Sequence, residues 1–255
     1  MIQIHKETIR DIPLLHVVGG SAQNEALPLI FFLHGFTSAK EHNLHYAYLL
    51  AEKGFRVVLP DAHFHGERIQ GLNQRELSFY FWKIVIQNIE ELGILKDSFV
   101  NDGLADENRI GVVGTSMGAI TTLGAISQYD WINTGVSLMG NGAYETFARS
   151  QIDYLRQNHV AIPLSEQELE HQFSILAQYD LSQQMEKLNG RPLLFWHGKK
   201  DPIVPFGPAY DFYEAISKYY VGKEDKLQFI VDEKADHKVT RHGLLKTVEW
   251  FEEHM

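Results

Sequence analysis

Three residues far apart in the chain have the types and the order needed to attack a carbonyl: Ser116, then Asp201, then His237. A serine hydroxyl is a weak nucleophile by itself. It needs a base to take its proton and an acid to orient that base. Ser116 lies in Gly114-Thr115-Ser116-Met117-Gly118, a G-x-S-x-G pattern that also occurs by chance, so its context decides. Ahead of it lies an apolar, β-branched run, Arg109-Ile110-Gly111-Val112-Val113; behind it, Ala119 to Ile126 carries a small-residue helical pattern. A strand, a tight turn and a helix in that order push a serine hydroxyl out above the edge of a sheet. The two glycines suit a strained turn where helix and strand approach closely.

Asp201 follows the apolar run Leu193-Leu194-Phe195-Trp196 through His197-Gly198-Lys199-Lys200, and His237 follows Leu227 to Val231 through a short polar loop. Both sit just past the carboxyl end of a predicted strand, the edge where open α/β sheets bind ligands. Asp225, Asp232 and Asp236 compete with Asp201, which could instead shape a turn before Pro202. Asp236 adjoins His237 and points elsewhere in extended chain. His242 competes with His237 but opens the last predicted helix. A tetrahedral intermediate also needs donors for its oxyanion. One is the backbone N–H of Met117, at a helix N-terminus that favours negative charge. The second is sought after an earlier strand, where His34-Gly35-Phe36 follows Leu29 to Leu33 and offers the Phe36 N–H. Losing one such donor costs about 10²–10³ in rate.

The elements that must position these groups alternate along the chain. Ile2 to Thr8 and Ile12 to Val18 read as a hairpin-like pair of strands. Leu29 to Leu33, Phe55 to Leu59, Arg109 to Val113, Gly135 to Met139, Pro192 to Trp196 and Leu227 to Val231 follow as strands. Helical patterns run from Leu44 to Ala51, Glu76 to Val100, Ala209 to Tyr220 and His242 to His254. Ser38 and Glu41 have capping-box spacing ahead of the first of these. Alternation of this kind predicts an α/β fold with a mostly parallel central sheet of about eight strands, covered on both faces. Length alone allows one large α/β domain or two small ones; a single domain over 1–255 is expected, within which 141–190, polar, Gln-rich and without a strand-like run, is expected to be a small helical cap rather than one ordinary crossover helix with long loops. Tyr144, Phe147 and Tyr154 in that segment either face the substrate or, more in keeping with their type, pack the cap against the core.

Composition narrows the function. There is no cysteine, which excludes disulfides, thiolate metal sites and a cysteine nucleophile. The formal charge of −10 repels phosphate backbones, so no nucleic-acid partner is expected. No apolar run approaches the roughly 18 residues of a membrane span, and the N-terminus lacks the apolar core of a signal peptide. A cytoplasmic protein without membrane contact is expected. No Gly-Lys-Ser/Thr loop or G-x-G-x-x-G turn cradles a phosphate.

His34-Gly35-Phe36, Pro60-Asp61-Ala62-His63-Phe64-His65-Gly66, the Ser116 elbow, His197-Gly198-Lys199-Lys200-Asp201 and Asp236-His237 together resemble an α/β-hydrolase. Within that superfamily the chain is similar to the prolyl-oligopeptidase-like and dienelactone-hydrolase-like esterases of bacteria. Asp106-Glu107-Asn108-Arg109-Ile110-Gly111 resembles the lead-in to the elbow in that group. The likeness covers nearly the whole chain and leaves 141–190 unmatched. It implies a serine hydrolase of small-molecule esters that needs no cofactor, with Ser116, Asp201 and His237 as triad and Phe36 and Met117 as oxyanion donors. A peptidase or amidase with the same triad is the alternative, and a catalytically silent binding protein a third. Asp61, His63 and His65 alternate as zinc ligands can. The resemblance makes Pro60-Asp61-x-x-x-His65-Gly66 a structural loop instead, so no metal is expected, and it leaves His65 a place along the site. Ala119 stands where many relatives have a second glycine. The His-Gly-Phe loop replaces the His-Gly-Gly-Gly of many lipases, and the Phe36 side chain is expected to narrow the acyl pocket. The dienelactone hydrolases proper use a cysteine, so their substrate is not implied.

Overall fold

The β-branched and aromatic runs fold as strands of one eight-stranded sheet in a computed structural model that describes all 255 residues. The strands are β1 (Ile2–Ile9), β2 (Ile12–Gly19), β3 (Leu27–Leu33), β4 (Arg56–Pro60), β5 (Ala105–Thr115), β6 (Thr134–Leu138), β7 (Leu193–Gly198) and β8 (Leu227–Asp232). Their order across the sheet is β1-β2-β4-β3-β5-β6-β7-β8. Only β1–β2 and β2–β4 pair antiparallel; every later pair is parallel. This is the α/β-hydrolase fold that the motifs implied.

Side chains on a strand alternate between faces, and the core divides accordingly. Phe31, Val58, Val112 and Phe195 join one apolar cluster, while their neighbours Phe32, Val57, Val113 and Leu194 join the other. Helices α3 (Phe81–Asn101), α4 (Met117–Gln128) and α7 (Phe206–Ser217) cover the first face. Helices α1 (Leu44–Glu52) and α8 (Arg241–His254) cover the second. Residues 141–190 hold α5 (Tyr144–Gln157), α6 (Glu166–Ala177) and two 3-10 turns, with no strand. No helix is long and apolar enough to cross a membrane.

Three local expectations change. The helix expected over 76–100 is two helices, α2 (Gln74–Phe79) and α3, parted at Tyr80, whose N–H turns back to the Leu77 and Ser78 carbonyls. The expected strand 109–113 is the carboxyl half of the longer β5, whose first half leaves regular register after Ala105 pairs with Leu27. Ser38 and Glu41 form no capping box. The chain there starts as a 3-10 turn over Lys40–Asn43 with Ala39 as N-cap; the Ser38 N–H that Glu41 would have to engage goes to Gly35 O at 3.1 Å, the Ser38 hydroxyl pairs with His42 Nδ1 at 3.0 Å, and the Lys40 N–H donates to Asp61 Oδ1 at 3.0 Å. Capping boxes form instead at Asn73/Glu76 and Ser165/Glu168.

The join between β5 and α4 is the tightest in the sheet. A Cβ at Gly118 would lie 2.1 Å from the Leu33 carbonyl oxygen of β3, and one at Gly114 2.1 Å from the Gly118 backbone. Backbone cannot yield as a flexible side chain can. Gly118→Ala is expected to cost about 3 kcal/mol or more, the upper end of overpacking losses, read as a fall in the urea midpoint. Gly207→Ala on α7, where a new Cβ meets nothing within 4 Å, is the control and should be neutral or slightly stabilising. Equal midpoints for the two variants would contradict this reading of the join.

Candidate active site

Open α/β sheets bind ligands at the carboxyl edge where successive connections leave in opposite directions. Here that place lies between adjacent β3 and β5, because β3 continues to β4 on one side while β5 continues to β6 on the other. Ser116 stands at the end of β5, as the N-cap of α4, with φ 53° and ψ −115°. Its N–H donates to Leu138 O at 2.8 Å, and its carbonyl accepts the first helical bond, from Ile120. The strained backbone is thus held from the next strand and from the helix, and the side chain stays half-exposed. On the β3 side, a Cβ at Gly35 would lie 3.4 Å from Thr115 O and 3.5 Å from Ser116 Cβ, so the His34-Gly35-Phe36 loop rests on the elbow.

The loops after β7 and β8 bring in the other two groups. Lys199 N–H donates to Asp232 O at 2.9 Å and Lys200 N–H to Ala235 O at 3.1 Å, lacing the loops together. A Cβ at Gly198 would lie 2.3 Å from Asp236 O, which makes glycine necessary at this crossing. Asp232 shapes the second loop by accepting from Lys234 N–H, Ala235 N–H and Thr240 Oγ1. His237 then hydrogen-bonds both partners at once: Nδ1 is 2.7 Å from Asp201 Oδ2, and Nε2 is 2.8 Å from Ser116 Oγ. A carboxylate can only accept, so Nδ1 carries the proton and Nε2 accepts from the serine hydroxyl. Of the competitors, Asp236 and Asp225 are exposed, Asp232 is committed to its own loop, and His242 is exposed in the first turn of α8.

Asp201 is buried; its side chain has no solvent exposure, against 22% for His237. Oδ1 accepts from the Ile203 and Val204 N–H groups at 2.9 and 3.0 Å. Burial pushes the carboxyl up. Hydrogen bonds from His197, His237 and the Ile203 N–H outweigh it and hold Asp201 below the usual carboxylate range. His197, buried on β7, points Nε2 at Val204 O (2.8 Å) and at Asp201 Oδ2 (3.3 Å). Sequence reasoning missed this contact, since His197 lies at the end of a strand pattern that does not say which way the ring turns.

Phe36 lies in no helix or strand, and its N–H is given to no acceptor within the protein. The Met117 N–H opens α4, where first-turn donors have no intrahelical partner. Behind Phe36 two buried histidines link the loops after β3 and β4. His34 donates from Nδ1 to Gly35 O and accepts the Ala62 N–H at Nε2. His65 donates from Nδ1 to His63 O and accepts the Thr37 N–H at Nε2. Both ring nitrogens of His65 are thereby engaged by backbone. Asp61 turns to Lys40 Nζ and to the Lys40 and Glu67 N–H groups. Asp61, His63 and His65 do not converge on a common point. In the 141–190 segment Tyr144 and Phe147 are buried, while Tyr154 is exposed. Tyr144 gives its hydroxyl to Ile120 O, in the space left open by Gly124.

Burial pulls His34 down to about 4, despite its bond to the Gly35 carbonyl. An unfolded histidine titrates near 6.5, so the unfolded chain takes the proton first and stability falls as pH drops through that window. Asp201, held lower still, titrates outside it. The shift corresponds to about 3 kcal/mol. Urea unfolding at pH 7 and pH 4 should therefore show His34→Gln losing about 3 kcal/mol less than the unsubstituted protein on acidification. Parallel losses in the two would remove His34 as the cause.

Residues 41–255 match the prolyl oligopeptidase family. The matched stretch includes Ser116, Asp201 and His237, and begins just after the Phe36 loop. Over its full length, and the full length of each relative, the chain is 52% identical to "Putative esterase YitV" of Bacillus subtilis and 32% identical to "Esterase YjfP" of Escherichia coli. Among solved structures, TT1662 of Thermus thermophilus superposes with a TM-score of 0.76 at 21% identity, over 99% of this chain and 98% of that one. A full-length relative at 52% identity and a family match over most of the sequence place this chain in the prolyl oligopeptidase family of α/β-hydrolases.

Proposed function

We propose that the protein hydrolyses carboxylic esters through Ser116, His237 and Asp201. The observation that carries this is the continuous hydrogen-bonded chain from Ser116 Oγ through His237 to Asp201, on a serine held at φ 53°. His237 takes the hydroxyl proton at Nε2 as Oγ attacks the ester carbonyl. Asp201 holds the ring and stabilises the imidazolium. The Phe36 and Met117 N–H groups receive the oxyanion. His237 then gives its proton to the departing alcohol, leaving an acyl-serine. Water attacks that ester with His237 again as base, and the acid leaves. No cofactor takes part. The esterase names of both full-length relatives support an ester over an amide. The family's own name keeps the peptidase reading in play, and turnover of aminoacyl anilides in preference to esters would favour it.

In this reading α5 and α6 form a cap. Its anchor is Trp82 at the start of α3, whose Nε1–H reaches Gln151 Oε1 at 2.9 Å, with Tyr144 locked under α4. Half-buried Phe36 stands edge-on to Phe81 and His65, at 5.6 and 5.4 Å, and narrows the acyl side of the site. The proposed substrate is a small ester of the cytoplasm.

Ser116→Ala should lower hydrolysis of short p-nitrophenyl esters by several orders of magnitude, about 10⁶ in kcat for loss of a triad serine. A fluorophosphonate probe should label Ser116 in the unsubstituted protein, as seen by peptide mass spectrometry. Full activity in Ser116→Ala would sink the assignment, and an unlabelled, folded protein would point to a binding module. Phe36→Ala keeps the backbone donor and removes the ring. It should raise kcat/KM for a hexanoyl over an acetyl ester by about tenfold, the scale of pocket discrimination between small apolar groups.

A further inference from the structure

We propose that His34 and His65 form a clasp that aims the Phe36 N–H at the oxyanion, so that both are positioning residues for the reaction. The proposal rests on reading that N–H as an oxyanion donor. Its basis is which peptide units the two rings hold. A trans peptide is planar, and its N–H points opposite to its C=O; the chain has no cis bond. The Phe36 N–H therefore belongs to the same rigid plane as the Gly35 carbonyl, which accepts from His34 Nδ1 at 2.8 Å. The next peptide, between Phe36 and Thr37, presents the Thr37 N–H to His65 Nε2 at 2.9 Å. Each plane flanking the Phe36 Cα is thus fixed by a different imidazole.

The far ends of both rings are fixed in turn, and in the same loop. His34 Nε2 accepts the Ala62 N–H at 3.0 Å, and His65 Nδ1 donates to His63 O at 2.8 Å. The rings lie 5.4 Å apart, and each residue is only 2% exposed. The loop needs holding. Thr37 is β-branched, exposed and at φ 60°, a region that such residues seldom adopt unless the surroundings impose it. Asp61, in the β4 loop, is itself held through Lys40, so the clasp is anchored on a fixed base.

The geometry makes a crossed prediction. Asparagine places its amide near the Nδ1 position of histidine; glutamine reaches the Nε2 position. At residue 65 the critical atom is the Nε2 acceptor, so His65→Asn should lower kcat and His65→Gln should recover most of it. At residue 34 the critical atom is the Nδ1 donor, so His34→Gln should lower kcat and His34→Asn should recover most of it. The two damaging variants should lose about 10²–10³ in kcat, as for an oxyanion donor put out of place, while KM stays within about threefold because ground-state binding is untouched. Thermal midpoints of all four variants are recorded alongside, and if one residue's pair fails to fold the other pair still gives the contrast. Equal losses within each pair, or four variants near the unsubstituted kcat, would overturn the clasp while leaving the hydrolase intact. Hydrolysis by the unsubstituted protein that does not depend on Ser116 would overturn the hydrolase reading, and the clasp with it.

Discussion

The site depends on one close approach, the backbone of α4 at Gly118 against the Leu33 carbonyl of β3. With no side chain between them, the first turn of the helix sits directly over the gap between β3 and β5. That places Ser116, the residue before the helix, beside the loop that leaves β3. Any larger residue at 118 would lift the helix and separate the serine from the Phe36 loop. The same approach presents the α4 N-terminus, with its partial positive charge and free first-turn N–H groups, to this corner. One missing methyl group therefore sets Ser116, helix end and neighbouring loop together.

The carboxyl edge around this contact concentrates backbone strain. Thr37, Phe64, Ser116 and Met139 follow β3, β4, β5 and β6, and all four have φ between 53° and 62° without being glycine. Strain of this kind persists where neighbouring structure over-determines it. Here the neighbours can be named for three of them. Ser116 N–H is held by Leu138 O, Met139 N–H by Trp196 O and Thr37 N–H by His65. Each strand's last turn is thus held by a different strand or its loop. A sheet whose strand ends are cross-braced in this way can hold polar groups at fixed distances without burying the site itself.

Much of this was legible in the sequence because it is written locally. The elbow's glycines, the apolar run before it and the small residues after it all lie within about 20 positions, where periodicity speaks. Asp201 and His237 could be singled out because each follows a strand-like run at the edge where open α/β sheets bind ligands. What stayed hidden depends on contacts between segments far apart. Ser38 and Glu41 have the spacing of a cap, but the Lys40 N–H between them goes to Asp61 in another loop and fixes the turn differently. The break at Tyr80 coincides with that ring packing edge-on against Phe64, 16 residues earlier, which no helical period records. In 141–190 the pattern carried the helices and an inward-packing Tyr144, but not where that ring lodges, which is set by Gly124 on another helix. Local pattern specifies elements; loop-to-loop hydrogen bonds specify which of thirteen histidines matter.

Those histidines show how one side chain serves two purposes in neighbouring positions. His34, His65 and His237 all carry the proton on Nδ1 and accept at Nε2, so their tautomer does not distinguish them. Their partners do. At Nε2, His34 and His65 face backbone N–H groups, which hold on to their protons, whereas His237 faces a hydroxyl, which can release one. At Nδ1, His34 and His65 meet neutral carbonyls, whereas His237 meets the buried charge of Asp201. An imidazolium at either brace would set Nε2–H against N–H with no counter-charge in contact, and burial already disfavours it at both. An imidazolium at His237 keeps a charge-assisted bond to Asp201. Burial therefore favours the neutral form in which the braces hold the loop, and of the three only His237 faces both a hydroxyl proton and a carboxylate.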